Sequence, residues 1–155
     1  MMLSPRLFLC LISLIATILT GCYRETVESS FPTAADALGS PAAANGWIPP
    51  WLPEEAVDIY EVHDLDSNEG ALVAKLPNES KFSPDACRHA NGGQFMAPAF
   101  SREWLPSSLD HFAFYACDAP EADTSVAVPG NPPMIHALAI SPGRDVLVYW
   151  RNLSK

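Results

Sequence analysis

The sequence is short of positive charge. Nine Lys and Arg stand against 18 Asp and Glu in 155 residues, a formal net charge of −9. That balance disfavours DNA, lipopolysaccharide and other anionic surfaces as partners, and suits a basic protein. Cysteine is scarce as well, with four residues, at 10, 22, 87 and 117. No Gly-x-Ser-x-Gly, phosphate-binding loop or His-Glu-x-x-His is present, so the common nucleophile, nucleotide and zinc-hydrolase frames have no anchor here. Internal repeats are absent, and after residue 19 there is no second long hydrophobic run. A chain of this size makes one domain around one core.

What is there begins with the leader. Residues 7–19, "LFLCLISLIATIL", form an apolar run that follows Arg6. It is too short for a membrane-spanning helix, which needs roughly 20 apolar residues, and has the length of a signal-peptide core. It ends in "LTGC", Leu19 to Cys22. This stretch resembles a bacterial lipobox. The resemblance implies cleavage after residue 21 and a diacylglycerol-modified Cys22 that holds the chain to a membrane. Tyr23, in place of Asp, leans the sorting toward the outer membrane. Removing Arg6 with the leader leaves eight basic residues against the 18 acidic ones. The expected division is therefore 1–21 leader, 22–45 lipidated tether with a short helix at "TAADAL", and 46–155 globular domain.

Two cysteines remain after the leader and the lipid site. In an exported chain Cys87 and Cys117 are expected to form one disulfide. The competing reading pairs Cys87 with His89 as a catalytic or metal site, but nothing supplies the other ligands at zinc-finger spacing.

Five stretches read as strands: 56–65, 71–76, 111–117, "MIHALAI" and "DVLVYWR". "SVAV", within 118–133, is a short sixth candidate. Pro142 and Gly143 fit the middle of a type II turn joining the last two runs. "SPDACRHANGG" reads as a short helix, with Ser83 as N-cap, Pro84 at N1, a Phe82/Cys87 staple and a Gly92–Gly93 stop. The expected disulfide would pin this helix onto the 111–117 strand. Trp47 and Trp51, in "GWIPPWLP", are expected to pack on the domain. The expected class is α+β: an antiparallel sheet of about five strands, with one or two short helices on one face.

The segment "AADALGSPAAANGWIPPWLPEEAVDIYEVHDLDSNEG" is similar to a family of small bacterial proteins, often membrane-anchored. The elements that carry the similarity are Gly46 to Pro49, Leu52–Pro53, His63 to Asn68 and the later "VYWR", Val148 to Arg151. The resemblance implies a shared fold and no activity. Cys87 and Cys117 are a departure from it.

Asp64, Asp66 and Asn68 alternate as in the opening of a calcium loop. The sixth loop position is Glu69 in place of Gly, and the twelfth is Lys75 in place of Glu. A hairpin turn accounts better for the stretch, with Asp64, Asp66, Asn68 and Glu69 left as a loop for a cation or a partner. The histidines, 63, 89, 111 and 136, are scattered. Asp58, Glu61 and Glu103 are carboxylates that spacing alone does not pair. The expectation is a lipid-anchored, non-enzymatic binding protein without a cofactor. The alternatives are an inhibitor of a basic toxin or lysozyme-like hydrolase, and a calcium-binding module.

Overall fold

A computed structural model describes residues 25–77, 80, 82–118 and 133–154. The leader, Cys22 and the "SVAV" segment lie outside the described residues. Among the described residues seven strands form one antiparallel sheet. They are β1 (Thr26–Thr33), β2 (Val57–Asp64), β3 (Gly70–Lys75), β4 (Cys87–Ala90), β5 (Ala113–Cys117), β6 (Met134–Ile140) and β7 (Val146–Leu153), in the order β1-β2-β3-β7-β6-β5-β4. Among the described residues helix is confined to short turns: α1 (Ala34–Leu38), α2 (Pro41–Ala44) and a 3-10 turn at Gly92–Gln94.

This corrects the α+β, five-strand expectation. The five expected strands are β2, β3, β5, β6 and β7. The two added strands are the edges. Residues 26–33, read as tether, pair with β2 from Thr26↔Asp64 to Thr33↔Val57. The expected helix at 83–91 is instead a turn closed by Cys87 N–H to Pro84 O, followed by β4. A helix of about two turns has little stability of its own. Four ladder pairs with β5, from Cys87↔Cys117 to Ala90↔Phe114, outweigh its caps.

The sheet is covered on both faces. On the first, Ile59, Leu72, Ala74, Leu138, Ile140 and Leu147 meet Ala34, Ala37 and Ala42 of the helical turns, with Ile48, Leu52 and Ala56. The helical turns are set by Thr33 and Ser40, whose hydroxyls accept from Asp36 N–H and Ala43 N–H at 3.3 Å. Their alanines let the backbone lie close to the sheet. On the second face, Val62, Val73, Ala137, Ala139, Val148 and Trp150 meet Phe95, Phe100, Trp104, Leu105 and Leu109 from the largely irregular 91–112 segment. Burying a leucine or isoleucine fully contributes about 1.5–3 kcal/mol, so the first face alone outweighs any capping term.

Local geometry explains two irregularities. β2 alternates imperfectly because it carries a bulge between Val57 and Tyr60, with Asp58 at φ 49°. The β6–β7 connection is a hairpin, as expected, but not through a type II turn. Arg144 takes the left-handed position, φ 56°, and Gly143 does not. The Arg144 guanidinium donates to Ser80 O and Phe82 O, which ties the 80–82 segment to this turn.

Candidate functional site

The ladder registers place one row of residues straight across all seven strands: Val27, His63, Gly70, Arg151, His136, Cys117 and Cys87. The row lies at the end of the sheet where β1 begins and β2 ends. It is the most polar feature of the covered interior. His63 is 2% exposed and Arg151 1%.

Alternation along β2 puts Glu61, 1% exposed, beside His63 on the same face. Glu61 Oε1 and His63 Nδ1 lie 2.7 Å apart. The Trp47 ring roofs this pair, stacked on the His63 ring at 3.4 Å between centroids and 13° between planes. The Gly-Trp-Ile-Pro segment is thus held down by a histidine. Trp47 Nε1 donates to Asn68 Oδ1, and Arg151 Nη2 donates to the same oxygen, each at 3.3 Å. Arg151 Nη1 donates to Gly46 O at 3.2 Å. One arginine therefore fastens both the β2–β3 turn and the roof to the last strand.

A Cβ at Gly70 would meet Val62 O at 3.4 Å, Arg151 Nε at 3.5 Å and His63 Cβ at 3.7 Å, ordinary contact distances, so alanine would fit there. Burial raises the Glu61 carboxyl above its ordinary value. The His63 hydrogen bond and the His63 and Arg151 charges offset part of that rise, and Glu28 adds to it. Glu61 Oε2 and His63 Nε2 find no hydrogen-bonding protein group among the described residues. The pair can share a proton, but under the Trp47 ring.

The loop that resembled a calcium site is a hairpin turn. Asp64 is buried, and its Oδ1 accepts from Asp66 N–H at 2.9 Å and Ser67 N–H at 2.7 Å. Asn68 occupies the left-handed position at φ 63°. Glu69 Oε2 accepts from Ser67 Oγ at 3.2 Å. Asp66 is exposed. Among the described residues no three His, Cys, Asp or Glu side chains come together in a way that could hold a metal ion.

The remaining candidates disperse. His63 and His136 share the row but stand three strands apart, about 14 Å. His136 Nδ1 is 2.7 Å from Tyr149 Oη. His89 meets Tyr115 edge-on near the β4 edge, and His111 is exposed. Asp58 pairs with Lys75 at 2.9 Å on the surface, and Glu103 is exposed in the layer over the opposite face. Cys87 and Cys117 form the expected disulfide, joining neighbouring strands with Cα atoms 4.0 Å apart. It pins a strand to a strand, where a helix was expected.

Open concavities lie on the second face. One of about 470 Å³ is lined by Phe95, Met96, Leu109, Phe114 and Trp150 among others. A neighbour of about 540 Å³ runs past His89, Gly92, Asp110 and Phe112. Trp150 Nε1 and Asn152 Nδ2 donate to Met96 O and Ala97 O beside them, at 2.9 and 2.7 Å.

The fold and this buried row define a single antiparallel sheet with a charged seam. Residues 25–73, about a third of the chain, match the family model of the YbbD head domain. The match supports a bacterial, envelope-associated protein. It takes in β1, both helical turns, the Trp47 roof, β2 and most of β3, so Glu61, His63, Asp64 and Asn68 lie within it and Arg151 does not. No curated protein and no solved structure matches the chain.

Arg151 is the residue that sequence reading passed over. It stood only as the end of "VYWR". The available signal was Glu61 and His63, an acidic residue and a histidine alternating on one face of β2, which call for a cation from some other strand.

Proposed function

We propose that the chain is a bacterial envelope lipoprotein, acylated at Cys22, whose folded domain works by binding and not by catalysis. One observation carries the second half of that reading. Glu61, His63 and Arg151, the groups suited to proton transfer or anion binding, are buried, and none of them lines the clefts on the Trp150 face. The cleft at Phe95 and Trp150 presents mainly aromatic and aliphatic side chains, which recognise by contact. Among the described residues no helix is long and apolar enough to cross a membrane.

The net charge of −9 favours a basic protein as partner, and an inhibitor of a basic toxin or lysozyme-like hydrolase is the second reading. Tyr23 favours delivery to the outer membrane. Mass spectrometry of the membrane-extracted protein should find a chain starting at an acylated Cys22; a soluble chain that retains residues 1–21 sinks the anchor. Full-length protein should capture a partner from envelope extract, and Trp150→Ala or Phe95→Ala should weaken that capture. If basic hydrolases keep full activity in its presence, the inhibitor reading fails.

A further inference from the structure

We propose that the end of the sheet carrying the β2–β3 turn rests on the headgroup layer of the bilayer that holds Cys22, with Leu65 as its apolar contact. The proposal deepens the lipid-anchor reading and depends on it. Only Tyr23 and Arg24 separate Cys22 from Glu25, where the described structure begins. Three residue steps span at most about 10–11 Å, little more than the roughly 5–8 Å of one headgroup region. The long tether expected from composition is therefore absent, since β1 starts at Thr26.

The β2–β3 turn is bound directly to that starting point. Leu65 N–H donates to Glu25 O at 2.9 Å. Leu65 is 44% exposed and Val27 38%. Val27 lies opposite His63 on β1, the strand that begins beside this turn. Two aliphatic side chains thus stand open where the chain leaves for its lipid. Glu25 and Asp66 are exposed at this end and Glu69 is half-buried, while Asp118, on the far strands, is paired with Arg88. That acidic rim suits a surface bearing ammonium groups, as phosphatidylethanolamine does, better than an anionic one. The 141–145 turn lies at the other end of strands of seven and eight residues, about 23–27 Å away.

The test uses the full lipidated chain in vesicles of phosphatidylethanolamine and phosphatidylcholine. A nitroxide is attached at Leu65→Cys or, as the distal reference, at Gly143→Cys. Collision with lipid-soluble oxygen and with a water-soluble nickel chelate is then compared. The oxygen-to-nickel ratio should be at least threefold higher at 65 than at 143. Equal ratios on a chain whose Cys22 is acylated by mass spectrometry overturn the proposal and leave the anchor standing. An unmodified Cys22 overturns both. If Leu65→Cys fails to fold, Asp66→Cys on the same turn reads the same contrast.

Discussion

β1, at one edge of the sheet, runs eight residues and pairs with β2 at seven positions. β4, at the other edge, runs four and pairs with β5 at four. The longer edge needs no covalent help. It continues into α1 and is fastened from the other face, where Arg102 Nε meets Glu28 Oε1 at 2.5 Å. The shorter edge is stapled by Cys87–Cys117. Of the two strands next to the edges, only β2 buries charged and polar side chains, at Glu61, His63 and Asp64. The β5 side is half-buried throughout. The comparison teaches that the two halves of the sheet are stabilised by different physics: the first by burial and a charged seam, the second by a cross-link. Arg151, on the central strand, is where they meet.

The sharpest way to break this comparison is Arg151→Met. It removes the cation from beside buried Glu61 and unfastens Asn68 and Gly46 together. Breaking a buried ion cluster from one side costs about 3–5 kcal/mol. Urea unfolding should show that loss in the midpoint; an unchanged midpoint would remove Arg151 from its joining role. Next in size is Cys87→Ser with Cys117→Ser. Opening this loop should cost about 2–4 kcal/mol. Hydrogen exchange should then speed up in β4 and β5 while β1, β2 and β3 stay protected. Uniform acceleration across all seven strands would show that the halves do not separate.

A third measurement sharpens the first half alone. The Glu61 carboxyl is raised above its ordinary 4.5 by burial, so the native state holds that proton more tightly than the unfolded chain. The resulting stabilisation is complete below about pH 4.5 and is lost as pH rises through the raised value. Glu61→Gln cannot titrate there. Its melting temperature should fall less than that of the wild type between pH 4.5 and 7, and parallel curves would refute the assignment. The smallest effect belongs to Arg102→Ala. Glu28 is about half exposed and Arg102 is partly exposed, so the loss should be about 0.5–1 kcal/mol, read as faster exchange in β1 with β4 unaffected.

Much of the interior was legible in the sequence. β2, β3, β5, β6 and β7 announced themselves by β-branched and aromatic content because they lie between other strands and must bury side chains. The two edges did not. β1 reads "TVESSFPT", mostly exposed, and its polarity is what a tether would also show. β4 was hidden behind an orderly set of helix caps, and only its register with Cys117 decides against them. The second covering layer, with Phe95, Phe100, Trp104 and Leu105, has no period because it is largely irregular. The disulfide was readable from cysteine count and compartment alone. The seam was only half readable, since Glu61 and His63 alternate visibly but their cation lies some 90 residues away.

The order β1-β2-β3-β7-β6-β5-β4 puts the latest strand in the chain at the centre of the sheet. β3 and β6 each have one neighbour until β7 arrives to fill the gap between them. A chain delivered N-terminus first, from a ribosome or across a membrane, therefore cannot close its core early. It can make two separate hairpin sets, and their union waits for residues 146–153. Such long-range pairing slows folding. The same order makes the chain intolerant of late truncation. Losing its last dozen residues would not shorten the sheet but divide it.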